Sequence, residues 1–126
     1  MNMQREGVIT GRIIGCALEV HRQLGPGLLE SIYEECLCHE LSIASVDFIR
    51  QKMIPIDYKG VLLGNQLKLD LLVGNEVVVE LKAVKKIEPI HEAQLLSYLR
   101  LANKKYGLLI NFNVQLLKDG IKRIAN

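Results

Sequence analysis

Residues 67–84 read LKLDLLVGNEVVVELKAV. Two apolar runs of strand length flank Gly74-Asn75, a pair suited to a tight turn. The stretch predicts a β-hairpin, and it carries three polar residues at odds with a buried strand pair: Asp70, Glu80 and Lys82. Strand alternation places Gln66, Lys68, Asp70 and Leu72 on one face and Leu67, Leu69, Leu71 and Val73 on the other. In the second strand Val78, Glu80 and Lys82 share a face, opposite Val77, Val79, Leu81 and Ala83. A two-residue loop would pair Asp70 with Val79 and turn it away from Glu80. A three-residue loop of Gly74, Asn75 and Glu76 pairs Val73 with Val77 and sets Asp70 opposite Glu80 on one face. The hairpin is therefore expected to have an odd-length loop or a bulge.

Working outward, residues 7–23 have helical spacing through Ile9, Ile13, Ala17 and Val20, with Ile14 and Leu18 beside them. Leu24-Gly25-Pro26-Gly27 stops that helix. A second helix is expected over residues 28–42, with apolar Leu28, Leu29, Ile32, Cys36 and Leu37. Residues 48–58 read as a strand, and Pro55 inside it points to an edge or irregular position. Lys59-Gly60 is a turn and residues 67–73 and 77–84 are strands. Pro89 sits where a helix over residues 90–102 begins. Residues 106–112 form a strand, Asp119-Gly120 a turn, and residues 121–124 a last strand. The order is α-α-β-β-β-α-β-β, an α/β chain with a mixed β-sheet and helices packed on it.

The length of 126 residues suits one domain, and the absence of Trp with only two Phe implies a core of Leu, Ile and Val. No apolar run is long enough to span a membrane, and the start, MNMQREGVITGR, lacks a signal-peptide core, so a cytoplasmic location and no membrane partner are expected. Three cysteines, Cys16, Cys36 and Cys38, argue against a disulfide framework. Cys36, Cys38 and His39 do not share a helix face, so buried or half-buried thiols are expected rather than a zinc site. Charge is unevenly spread. In residues 1–45 three arginines against six glutamates give −3, and in residues 82–126 nine basic against three acidic residues give +6. A basic C-terminal part can lie along a polyanion, or can be a solvated lysine-rich surface.

Two carboxylates as close as Asp70 and Glu80 repel each other, and burial raises the cost. A divalent cation removes the conflict. Mg²⁺ takes hard oxygen ligands through one or two carboxylates and keeps several waters. Lys82 beside it can orient or help deprotonate a water, or stabilise a negative transition state. Together these groups suit phosphodiester hydrolysis. The competing reading is a structural Glu80–Lys82 ion pair on a solvated strand face. In HEAQLLSYL (residues 91–99), His91, Gln94 and Tyr98 fall on one helix face, while Ala93, Leu96 and Ala102 can line a neighbouring face into the core. Gln94 and Tyr98 can brace a metal site or hold a phosphate, or form an exposed polar face. His91 reads as a helix-start residue. Glu30 and Tyr33 lie three apart on the second helix, and an acid in that first turn also interacts well with the helix dipole.

GLLESIY, from Gly27 through Glu30 to Tyr33, resembles the pattern that names the GxxExxY family, which is placed in the PD-(D/E)XK nuclease superfamily. Asp70 followed by Glu80-Leu81-Lys82 resembles the superfamily's D…E-x-K core. Gln94 and Tyr98 resemble the Q-x-x-x-Y helix motif of its RecB-like branch, and Glu30 the acid that branch supplies from an early helix. The resemblance runs from about Gly7 to Ile124, with the motifs in order. Leu69 stands where the superfamily's name has proline. The resemblance implies one nuclease-like domain over residues 1–126 with a restriction-endonuclease-like core. It implies Mg²⁺ or Mn²⁺ on Asp70 and Glu80, with the Leu81 carbonyl as a third ligand and Glu30 on the metal or one of its waters. Lys82 would assist the attacking water, and Gln94 and Tyr98 would support the site. Its partner would be nucleic acid, DNA before RNA. No DNA-recognition element is evident, so specificity would come from a homodimer or a protein partner. Two other readings stand beside the nuclease: a non-catalytic nucleic-acid- or protein-binding module on the same fold, and a structural domain with ion-paired polar residues.

Overall fold

The computed structural model describes the backbone of residues 2–126 and the side chains of residues 7–64 and 66–126. Helices α1 (Asn2–Leu24) and α2 (Glu30–Ile43) come first, then strands β1 (Phe48–Tyr58), β2 (Val61–Val73) and β3 (Val77–Lys82). Helix α3 (Pro89–Ala102), strand β4 (Tyr106–Asn111), a 3-10 turn (Leu117–Gly120) and strand β5 (Ile121–Ala125) complete the chain. The element order is the expected one. The main length difference is β2, which starts at Val61 rather than near Leu67 because it pairs with β1 back to the Lys59-Gly60 turn.

The five strands lie in chain order in one sheet. All neighbours are antiparallel except β3 and β4, which run parallel and are joined by α3. Strand β1 is an edge, and its pairing shifts between Pro55 and Asp57, where the proline has no N–H to donate. Strands β3 and β4 are buried along nearly their whole length, as strands covered on both faces are.

Helices α1 and α2 cover one face. Ile13, Ala17, Val20, Tyr33, Leu37 and Leu41 pack there on Leu71, Val73, Val77, Val79, Leu81 and Ile110. Helix α3 covers the other face with Leu95 and Leu99, which meet Leu69, Leu72, Val78 and Leu109. Three helix faces differ from the expected ones. Leu18 is exposed on α1, and Leu29 and Ile32 are exposed on α2 while Cys38 and Leu41 are buried. On α3 Ala93 is exposed and Leu96 half-buried, and only Ala102 of that trio packs on the core. Each of these helices is apolar over a wide arc, so composition alone does not say which part meets the sheet.

The hairpin loop is the three-residue one. Val73 pairs with Val77, Leu72 with Val78 and Leu71 with Val79. Gly74 and Asn75 both have positive φ, and Glu76 N–H donates to Val73 O at 3.1 Å. The face assignment farther along β2 is different, however. Leu67 and Leu69 pack with Leu72 on the α3 side, whereas Leu71 and Val73 face α1 and α2. Alternation thus slips by one at Asp70. Strand β1 slips with it: Phe48 faces α1 and α2, yet Ile54, an even number of residues on, faces α3. The residue between them in register with Asp70 is Gln51, whose φ of 50° is left-handed. Paired residues keep their register across the slip, so both strands change face together and the outer part of the β1–β2 ribbon folds toward α3.

Behind the carboxyl ends of β3 and β4, buried Asn111 staples the two strands. Its Oδ1 accepts from Val84 N–H at 3.0 Å and Asn113 N–H at 3.2 Å, and its Nδ2 donates to Val84 O at 2.9 Å. A Cβ on Gly120 would overlap the backbone oxygen of Asn111. Gly120→Ala is therefore expected to lower stability by about 1–3 kcal/mol, the usual cost of overpacking. The urea midpoint checks this, and an unchanged midpoint would show that the backbone moves aside freely.

Candidate active site

The β2–β3 ladder ends at Leu71 and Val79, and the next pair in register is Asp70 with Glu80. Here side chains replace backbone rungs. Asp70 N–H donates to Glu80 Oε2 at 2.8 Å, and Leu81 N–H donates to Asp70 Oδ2 at 2.9 Å. Each carboxylate therefore has one oxygen fixed by a backbone donor. An extended residue points its N–H and C=O to the same strand edge. The Leu81 carbonyl thus lies on the edge facing Asp70, just past the last rung.

Glu80 is 6% exposed. Burial pushes its carboxyl up to about 8, and the neighbouring Asp70 charge adds to the effect against the pull of the Asp70 N–H and Lys82. Burial also raises Asp70, opposed first by the Leu81 N–H. Lys82 makes no ion pair with Glu80 among the described residues. Its Nζ stands 3.5 Å from Gln94 Oε1 on α3. The structural ion-pair reading of Glu80 and Lys82 is therefore not what the structure contains.

Glu30 opens α2 and is exposed as a residue, yet its carboxyl is raised, by partial burial first and then by Asp70. It thus lies within electrostatic reach of Asp70 and Lys82. Tyr33 has a different role. It is fully buried, its ring stacks on Phe112 with centroids 4.5 Å apart, and its hydroxyl donates to Gly25 O at 2.6 Å while accepting from Leu28 N–H at 3.1 Å. The tyrosine fixes the Gly25-Pro26-Gly27 bend and so the point from which Glu30 projects. On α3, Tyr98 is half-buried, and its hydroxyl is raised by burial and by the charges of Glu80 and Asp70. Gln94 and Tyr98 therefore border the acidic pair. His91 does not: its Nδ1 accepts the Glu88 N–H at 2.9 Å in a capping box that starts the helix.

Three neighbours of Asp70 escape a reading of the sequence. Glu34 is buried, and it accepts from Arg50 at 3.0 Å and from the Gln51 amide at 2.8 Å. Its charge raises the Asp70 carboxyl, while the Gln51 amide lowers it. Helix phase could have flagged Glu34, one turn after Glu30. Nothing in the sequence marks Arg50 or Gln51, whose positions depend on the slip in β1.

The donor set fits a hard divalent cation. Two opposed carboxylates share a repulsion that such an ion would relieve, and a backbone carbonyl lies on the same edge. Among the described residues no three His, Cys, Asp or Glu side chains converge closely enough to cage an ion. Cys16, Cys36 and Cys38 are free thiols, two buried and one half-buried.

No helix among the described residues is long and apolar enough to cross a membrane. No curated protein and no solved structure matches the chain closely enough to compare. The sequence model of the PD-(D/E)XK nuclease superfamily does match, over residues 7–124. Its span takes in α2, the acidic hairpin pair and the α3 face bordering it. With a mixed sheet flanked by helices on both faces, the fold is restriction-endonuclease-like, and the chain belongs to the PD-(D/E)XK nuclease superfamily.

Proposed function

We propose that the protein is a divalent-cation-dependent nuclease hydrolysing phosphodiester bonds in DNA, in preference to RNA, as one domain over residues 1–126. Membership in the superfamily implies nucleic acid as the class of substrate. The observation that carries the reading is the opposed pair of half-buried Asp70 and buried Glu80 where the ladder stops, with Lys82 two residues on. The motif run Gly27-Glu30-Tyr33 and the Gln94–Tyr98 pair support placing it in the GxxExxY group and the RecB-like branch.

Asp70, Glu80 and the Leu81 carbonyl would hold Mg²⁺ or Mn²⁺, with Glu30 close enough to contribute directly or through water. The bound ion would supply Lewis-acid stabilisation of the phosphoryl oxygens. Lys82 orients the attacking water and offsets the charge that develops on the phosphate. Gln94 holds the Lys82 ammonium toward the site, and Tyr98 shields the acidic pair from one side. Selectivity for sequence would come from a second copy or a protein partner.

The test is calorimetry with Mg²⁺ and Mn²⁺, followed by incubation with single- and double-stranded DNA. Saturable binding and cleavage that EDTA abolishes are expected. A second reading has one observation in its favour, that Glu30 does not close with Asp70 and Glu80 into a cage. In that reading the fold is a non-catalytic binding module, and cation binding without cleavage of any nucleic acid would establish it.

A further inference from the structure

We infer that a lysine-lined cleft just past Lys82, beyond the carboxyl end of β3, seats backbone phosphate of the strand presented for cleavage. The cleft measures about 240 Å³ and is lined by Lys85, Lys86 and Lys122, with Asp119, Val114 and Asn111. Three cations face one acid. Among the described residues none of the three lysines is ion-paired, with Asp119 or with any other acid.

Three features make this a seat for phosphate and not merely a basic surface. The first is rigidity. Asn111 has both side-chain polar atoms committed to Val84 and Asn113, so the floor is fixed and Lys85 follows directly from the stapled residue. The second is position. Lys85 is three residues beyond Lys82, so their Cα atoms are at most about 10 Å apart. At about 3.4 Å of axis per phosphate, that is roughly three phosphates along a strand. Both sites sit at the carboxyl end of the parallel pair β3–β4, where open α/β sheets bind ligands. The third is charge. Glu30, Asp70 and Glu80 repel an approaching polyanion, so cations outside the acidic pair must draw the strand in. A lysine ammonium acts on phosphate as a point charge and needs no fixed orientation.

This inference rests on the nuclease reading and deepens it. The test measures binding without cleavage. Anisotropy of a short fluorescein-labelled DNA strand is followed in EDTA across a salt series. The Lys85→Ala/Lys86→Ala protein, and separately Lys122→Ala, should lose roughly 0.7 to 0.9 of the log–log salt slope per phosphate contact removed. The Lys85→Arg/Lys86→Arg protein should keep the wild-type slope. A Lys59→Ala/Lys105→Ala protein loses the same charge far from the cleft, at the β1–β2 turn and the amino end of β4, and should also keep it. An equal loss in that control would overturn the inference and leave only a diffuse basic surface. If wild type binds and cuts DNA but the cleft variants keep its slope, the cleft proposal fails and the nuclease reading stands. If wild type neither binds nor cuts DNA, both fall.

Discussion

Asp70→Asn is expected to remove divalent-cation binding and to cut DNA cleavage by roughly a thousandfold, with the fold left intact. The substitution keeps an oxygen where Oδ2 accepts the Leu81 N–H, so the hydrogen bond that ties β2 to β3 survives. What disappears is one of the two carboxylates that would hold the proposed cation. A bound ion contributes several kcal/mol to a phosphoryl transition state, and about 1.4 kcal/mol corresponds to a factor of ten. The change also removes the repulsion that helps keep Glu80 protonated, so the Glu80 carboxyl should titrate lower in the variant. Calorimetry, a cleavage time course and a urea melt test the three parts. Full cation affinity with full activity would remove Asp70 from the site. Lost activity with a collapsed melt would point to a structural role instead.

Raising the pH is expected to destabilise the cation-free protein, and Glu80→Gln is expected to remove most of that loss. The folded Glu80 carboxyl titrates at about 8, well above its ordinary value of 4.5. Below about 4.5 it is protonated in both folded and unfolded chains, and its favourable contribution is fully present. Between the two values the folded state holds more protons, so stability falls as pH rises. Above about 8 the loss is complete. It should be on the order of a few kcal/mol, since a tenfold difference in proton affinity between the folded and unfolded chain corresponds to about 1.4 kcal/mol. Asp70 and Glu30 are raised as well and push in the same direction. Added Mg²⁺ should reverse the trend, because only the ionised pair would bind it, and its stabilising effect should grow with pH. Urea melts at several pH values, with EDTA and with Mg²⁺, measure both effects. A flat profile in EDTA would mean that the carboxylates are solvated and not opposed.

The hairpin loop was legible because parity leaves few choices. For Asp70 to stand opposite Glu80 an odd-length loop or a bulge is needed, and Val73 does pair with Val77. The edge position of β1 was legible from Pro55, and the start of α3 from Pro89, because proline constrains the backbone wherever it sits. The slip at Asp70 was not legible. Period-two reasoning assumes an unbroken pleat, and nothing in LKLDLLV announces that Leu69 and Leu71 face opposite ways. Its partner, Gln51, holds a left-handed backbone conformation that L residues rarely adopt, and the sequence around it has no glycine or asparagine to suggest one. Glu34 was missed for a related reason. It is a buried acid whose partners, Arg50 and Gln51, reach it only once β1 has turned. The acidic pair could be read from local pattern, but the groups that tune it could not, because they meet only in the folded chain.

The Tyr33 ring has a mechanical consequence. It stacks on Phe112, and the Phe112 N–H donates to the Lys82 carbonyl at 3.0 Å. Glu30 and Lys82 are thus joined by one helical turn, one ring stack and one backbone hydrogen bond. Positional error between the acid and the base accumulates over those three stiff links, not over the long stretch of chain between them. Displacement of the outer β1–β2 ribbon would therefore leave the alignment of Glu30 with Lys82 unchanged, because none of the three links runs through it.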